Sequence, residues 1–217
     1  MKNVFALLLL AVAIMACSSG TKVTSSWKSP DAPSSVAAYK KVMVVALLSE
    51  KDRNLQQAME TQLVGGLTAN GISAASAYQT FGPKISTKTE SQAIRQLKSA
   101  GADAVLTISL LDKTKEKSYV PGNATYQPYA PYYRNFWGYY NYSYNRMYTP
   151  GYYTTNTSYF WESNLYSLKN NKLVYSVQTE SFDPSSAENL SKEYSKKILE
   201  NMMKEGVLVQ PAAKGKE

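Results

Sequence analysis

Histidine is absent from the 217-residue chain, and cysteine occurs once, at Cys17. Without imidazole there can be no histidine metal site, no Ser-His-Asp triad and no Cys-His pair, and a solitary cysteine has no partner for a disulfide within the chain. Carboxylate chemistry is the enzymatic route left open, because a glycoside hydrolase needs two acids across a cleft. The candidates Asp103, Asp112, Glu162 and Glu180 fall at strand edges or turns, where a structural role explains them more simply. The expectation is therefore a protein that is not an enzyme and holds no metal or cofactor. Gly65-Gly66 and Gly101 lack the spacing of a phosphate-binding loop. No helix-turn-helix, zinc-finger or RNA-binding signature occurs, which argues against a nucleic-acid partner although the formal net charge is +8. The lysines are spread along the chain, as on a solvated surface.

Long apolar runs are scarce too. The longest, Val4 to Ala16, has 13 residues, short of the about 20 that a spanning helix needs. It follows Met1-Lys2-Asn3 and leads into Ile14-Met15-Ala16-Cys17-Ser18-Ser19-Gly20. This segment resembles a bacterial lipoprotein signal peptide, with Ile14 and Ala16 matching the lipobox and Met15 larger than usual between them. The resemblance implies cleavage after residue 16 and a diacylglyceryl and an amide-linked acyl group on Cys17, two or more chains being enough for a stable membrane anchor. That chemistry would consume the only thiol. Ser18 after the cysteine, with no Asp there, resembles the outer-membrane sorting pattern, and implies the periplasmic face of the outer membrane. Loss of Lys2 with residues 1–16 leaves 23 basic against 16 acidic residues, a charge of +7.

Residues 17–37, rich in Ser, Thr, Lys and Pro, predict a lipidated tether, in which Trp27 is expected to pack back onto the domain. A single α/β domain is expected over 38–209, followed by a frayed tail over 210–217. Lys41 to Leu48 is a continuous apolar run of strand length, as in a strand covered on both faces. Leu55, Met59, Leu63 and Leu67 repeat every four residues and predict an amphipathic helix ended by Gly71, with Gly65-Gly66 suited to close approach to a sheet. Ile72 to Tyr78 predicts a short strand. Thr87 and Glu90 form a capping box for a helix burying Ala93, Ile94, Leu97 and Ala100, and Ala104 to Leu111 predicts the next strand. Tyr159–Leu168 and Lys172–Phe182 read as a hairpin turning at Asn170-Asn171. A last helix, capped by Ser185 with Glu188, buries Leu190, Tyr194, Ile198 and Met202. The order β-α-β-α-β, hairpin, α predicts a mixed sheet with helices packed on it, an α/β (α+β) fold.

Trp27, Tyr39-Lys40-Lys41-Val42-Met43-Val44-Val45, Arg53, Glu60 and Ala102-Asp103-Ala104-Val105-Leu106 carry a second resemblance. It continues in Glu162-Ser163-Asn164-Leu165-Tyr166, Lys172-Leu173-Val174-Tyr175-Ser176 and Thr179-Glu180. These segments look like an uncharacterised family of Gram-negative lipoproteins containing a domain of unknown function, which supplies no activity to carry over. The core is more distantly similar in architecture to periplasmic modules of the Tol, curli-secretion and penicillin-binding-protein-activator type.

From Tyr119 to Tyr159 the chain carries thirteen of its eighteen tyrosines, with Arg134 and Arg146 as the only charges. An insertion over 118–158 is far longer than the usual connection of about 4 to 6 residues. Tyrosine offers a large rigid face with a hydroxyl, so Tyr132, Tyr133, Phe136, Trp137, Tyr139 and Tyr140, with Arg134 and Arg146, are the expected contact residues. A surface for envelope proteins or self-association, a contact for peptidoglycan or another glycan, and a packed flap all remain open at this point.

Overall fold

A computed structural model describes residues 20–83, 89–120 and 152–209 of the chain. Two compact units divide it, one made of Met1–Lys113 with Ser158–Glu217 and the other of Thr114–Thr157. The larger is a mixed sheet with helices on it, as the order of elements predicts. In chain order its elements are β1 (Thr21–Lys28), β2 (Val42–Leu47), α1 (Arg53–Ala69), β3 (Ala74–Ser76) and α2 (Ala77–Phe81). They continue with α3 (Glu90–Ser99), β4 (Ala104–Val120), β5 (Tyr152–Ser167), β6 (Lys172–Phe182) and α4 (Ala187–Lys204), β4 and β5 each running on into the smaller unit. The strands lie in the order β1-β6-β5-β4-β2-β3. β2 is parallel to β3 and β4, and β6 is antiparallel to β5 and β1.

The two sides of β2 explain its unbroken apolar run. Val42, Val44 and Ala46 enter the main core under α1 and α4, while Met43 and Val45 enter a second cluster with Leu97 of α3, Ala77, Ala102 and Val105. α1 buries the expected stripe, with Met59, Leu63 and Leu67 fully enclosed, each contributing about 2 kcal/mol of transfer free energy. α4 lays Leu190, Tyr194, Ile198 and Met202 against the same face. The glycine pair serves this helix contact and not the sheet: a Cβ on Gly66 would collide with Leu199 Cδ1 of α4, while none of the described residues comes within 4 Å of one on Gly65.

Residues 21–28, within the expected tether, instead supply an edge strand. β1 pairs with β6 from Thr21↔Ser181 to Lys28↔Tyr175, with an irregularity between Val23 and Ser25. The reason lies in partners remote in sequence. The Thr21 and Ser181 hydroxyls bond at 2.8 Å across 160 residues, and Lys28 Nζ donates to the carbonyls of Glu205 and Gly206, where a cation suits the C-terminal end of α4. Trp27 joins the sheet through its backbone, yet its side chain stays 47% exposed.

Helix starts differ from expectation by one or two residues. Thr89, not Thr87, caps α3 by accepting from Gln92 N–H, and Thr87 lies outside the described residues. Ser186, not Ser185, caps α4 by accepting from Asn189 N–H. The predicted strand Ile72 to Tyr78 shrinks to β3 because Ser76 caps α2. Asn171 takes φ 54° in the β5–β6 turn, the left-handed conformation that asparagine tolerates.

Candidate functional site

β2 ends in a joint built around Glu60. β3 reaches only as far as the pair Val44↔Ser76, so among the described residues no strand lies beside Ala46 on that side. Side chains of α1 take over as acceptor and donor: Glu60 Oε1 accepts from Ala46 N–H at 2.9 Å, and Gln56 Nε2 donates to Ala46 O and Pro83 O, both at 3.1 Å. Spaced four residues apart, Gln56 and Glu60 share one helix face. Glu60 Oε2 accepts from Ser76 Oγ at 2.5 Å and Tyr78 N–H at 2.7 Å, holding the turn from β3 into α2. A cavity of about 260 Å³ adjoins, lined by Val45, Ala46, Leu47, Gln56, Glu60 and Pro83 among others. With Glu60 fully buried and three donors on it, the carboxylate replaces missing strand bonds.

The other faces of β1, β5 and β6 carry a polar ladder. Ser25 Oγ donates to Gln178 Oε1 at 3.2 Å, Gln178 Nε2 to Glu162 Oε1 at 3.0 Å, and Asn164 Nδ2 to Glu162 Oε2 at 2.9 Å. Thr107 Oγ1 of β4 donates to Asn164 O at 3.2 Å. Lys22 and Glu180 form an ion pair at 2.9 Å, with Lys22 68% exposed, so screening keeps its contribution below about 1 kcal/mol. Tyr166 continues the same face of β5, and Trp27 pairs with Ser176 in register. Half-buried amides in a fixed row beside aromatic rings can hold a polar ligand by hydrogen bonds and ring contact. Sequence reasoning placed Glu162 and Asn164 in a family segment but missed this ladder. The alternation Glu162, Asn164, Tyr166 and Ser176, Gln178, Glu180 was the available signal.

The four candidate acids do not converge. Asp103 accepts from Lys40 and Lys41 N–H at 3.0 and 3.1 Å, clamping the start of β2 to that of β4. Asp112 is exposed further along β4 and accepts from Lys113 N–H at 2.7 Å. Glu162 and Glu180 share a face, but Glu162 accepts from two amides and Glu180 is tied to Lys22. Cys17 and the expected signal segment, the expected contact residues Tyr132, Tyr133, Arg134, Phe136, Trp137, Tyr139, Tyr140 and Arg146, and the tail 210–217 lie outside the described residues. Among the described residues no helix is long and apolar enough to cross a membrane.

Two buried tyrosines support the core beneath the ladder. Burial pushes the Tyr194 hydroxyl far above its ordinary value, partly offset by its bond to Ser163 Oγ at 2.5 Å. Burial does the same to Tyr175, helped by Tyr194 and Glu205, and its hydroxyl donates to Asn201 Oδ1.

No family model and no curated protein matches the chain. Among solved structures the chain is similar to the PelC dodecamer from Paraburkholderia phytofirmans, at 11% identity and a TM-score of 0.46 over 88% of this chain and 99% of that one. It is similar to lipoprotein GNA1162 from Neisseria meningitidis, at 16% identity and a TM-score of 0.41 over 76% and 98% of the two chains. A minor lipoprotein from Acinetobacter baumannii matches at 12% identity and a TM-score of 0.28, over 76% and 95%. Scores this low carry no functional argument.

Proposed function

We propose that this chain is a lipoprotein anchored through Cys17 at the periplasmic face of the outer membrane, where it serves as a non-catalytic binding or assembly module that uses the Tyr-rich insertion as its contact surface. One observation carries the reading. β4 and β5 are 17 and 16 residues long, about three times an ordinary strand, and residues 111–118 of β4 are exposed throughout. Strands of that length exceed what the sheet uses, since β2 pairs with β4 only as far as Ser109 and β6 with β5 only back to Ser158. The remainder, from Thr114 of β4 and up to Thr157 of β5, belongs to the separate unit Thr114–Thr157, which also contains most of the insertion. Engagement of each candidate acid by backbone, amide or lysine donors supports a role without acid–base chemistry.

A photo-reactive residue at Tyr140, crosslinked in cells and followed by mass spectrometry, tests the reading. A discrete protein adduct, or a dimer of the chain itself, supports it, and the absence of any protein adduct refutes it. A glycan-binding alternative draws on the amide ladder with Trp27 and Tyr166 beside it. Pulldown on peptidoglycan sacculi, weakened by Gln178→Ala, would favour that alternative.

A further inference from the structure

A groove follows the outer edge of β1. Among the described residues no strand lies beyond β1 in the sheet. A cavity of about 580 Å³ is lined there by the consecutive residues Thr21 to Ser26, with Lys197, Glu200, Asn201 and Lys204 of α4 opposite. Neighbouring side chains on a strand point to opposite faces, so six in succession line one groove only along the strand's edge. The spacing of the four α4 residues puts them on one helix face, which forms the second wall.

Hydrogen bonds at the two ends of the β1–β6 pair set which backbone groups face the groove. Phe182 N–H donates to Gly20 O at 3.4 Å, and Ser29 N–H donates to Val174 O at 2.9 Å. Bonded and non-bonded pairs alternate in an antiparallel ladder. Thr21 and Val23, counted from one end, and Lys28 and Ser26, counted from the other, therefore turn their N–H and C=O groups away from β6, and the irregularity between Val23 and Ser25 absorbs the change of phase. Outward backbone groups of this kind are a template for an added strand.

The helix wall adds charge and a fixed donor. Asn201 is 6% exposed; its Oδ1 accepts from the Tyr175 hydroxyl and its Nδ2 donates to Ser26 Oγ on the groove wall at 3.4 Å, with a second amide hydrogen to offer. Three lysines, Lys22, Lys197 and Lys204, line the groove against the single acid Glu200. Lys22 is tied to Glu180 and Lys197 to Glu200, whereas exposed Lys204 has no acid partner among the described residues. A second copy of the chain suits this edge poorly, because its β1 would bring the same lysines and the same irregularity against their counterparts. Residues 210–217, with Lys214 and Lys216, lack an acidic excess as well.

We infer that the groove between β1 and α4 is a docking site for an extended acidic peptide segment of a partner protein, which adds a strand outside β1 and sets its carboxylates against Lys204 and Lys197. The site is additional to the Tyr-rich insertion and independent of lipidation.

The test uses the full-length protein in detergent and three fluorescein-labelled octapeptides read by fluorescence anisotropy. One alternates Glu and Val, one alternates Lys and Val, and the third is the acidic peptide N-methylated at every residue, which keeps its charges but blocks both of its edges. The expected result is saturable binding of the first peptide alone, weakened about fivefold by Lys204→Glu and unchanged by Lys192→Glu outside the groove. Val23→Pro, which removes one outward N–H and no bond to β6, is expected to weaken it as well. Equal binding of the N-methylated or the basic peptide, an equal effect of Lys192→Glu, or no binding of any peptide overturns the inference. Binding that emerges only when residues 210–217 are deleted assigns the groove to the chain's own tail, and a dimer on sizing that Val23→Pro abolishes assigns it to a second copy; either result also overturns it. Lys204 is exposed, the peptide arms leave the protein unaltered, and unchanged circular dichroism confirms that each variant folds.

Discussion

Replacing Glu60 by Gln changes one oxygen into an NH₂ group inside a site of three donors. If the remaining oxygen stays with Ser76 Oγ and Tyr78 N–H, the Ala46 N–H loses its acceptor and confronts another N–H. An unpaired buried donor costs about 1–3 kcal/mol. The two bonds that survive weaken as well, because an amide oxygen is a poorer acceptor than a carboxylate, by about 1 kcal/mol together. The expected destabilisation is about 3 kcal/mol, which at a urea slope of about 2 kcal/mol per molar lowers the unfolding midpoint by about 1.5 M. The assay is urea unfolding followed by far-UV circular dichroism on a soluble form lacking residues 1–17. Glu180→Gln provides the control, since its exposed pairing with Lys22 predicts a shift several-fold smaller. A Glu60→Gln midpoint as close to the parent as that of Glu180→Gln would refute the claim that this carboxylate replaces strand bonds at the end of β2.

Three further outcomes follow from buried polar groups and from β1. Tyr175 and Tyr194 keep their protons in the folded state well past the ordinary value of 10.0, mainly through burial, so above about pH 10 the unfolded chain binds fewer protons. Stability present below that pH is then lost as pH rises, with a slope approaching about 2.7 kcal/mol per pH unit for two groups; urea titrations between pH 9 and 11 check this, and a flat profile contradicts it. Among the described residues Thr179 Oγ1 is buried with no hydrogen-bond partner, so Thr179→Val, which keeps the shape, is expected to stabilise the fold by about 1 kcal/mol in the same urea assay. Deleting residues 20–28 removes a strand that contributes Val23 to the core and the Thr21–Ser181 and Lys28 bonds. A lowered thermal midpoint is expected, whereas a tether could be removed without any change.

Legibility in the sequence followed the range of the forces involved. α1 and α4 were readable because each buries a stripe at helical spacing, and β2 because both of its sides are apolar. β1 was not, since Thr-Lys-Val-Thr-Ser-Ser-Trp-Lys resembles a linker and acquires strand character only from β6, 160 residues away at the Thr21–Ser181 pair. The helix caps slipped because Thr87 and Thr89, or Ser185 and Ser186, are chemically equivalent candidates, and backbone geometry chooses between them. The close approach at Gly66 could be anticipated but its partner, Leu199, could not. At the candidate site the single acids were visible, but the ladder from Ser25 to Asn164 was hidden because it joins three strands whose register no local pattern specifies.

The long-range closure of β1 also orders events in time. An N-terminal strand that pairs with residues 175–181 cannot dock until the β5–β6 hairpin has been made, so it waits unpaired while most of the chain emerges. During that interval β1 is a free edge open to wrong pairings, and under the proposed anchoring it is also when Cys17 would meet its modifying enzymes. Once β1 docks, the Gly20 carbonyl is engaged by Phe182 N–H. If the chain is anchored as proposed, processing would favour the nascent chain over the finished domain, and a protein folded before lipidation would be a poor substrate for its own anchoring.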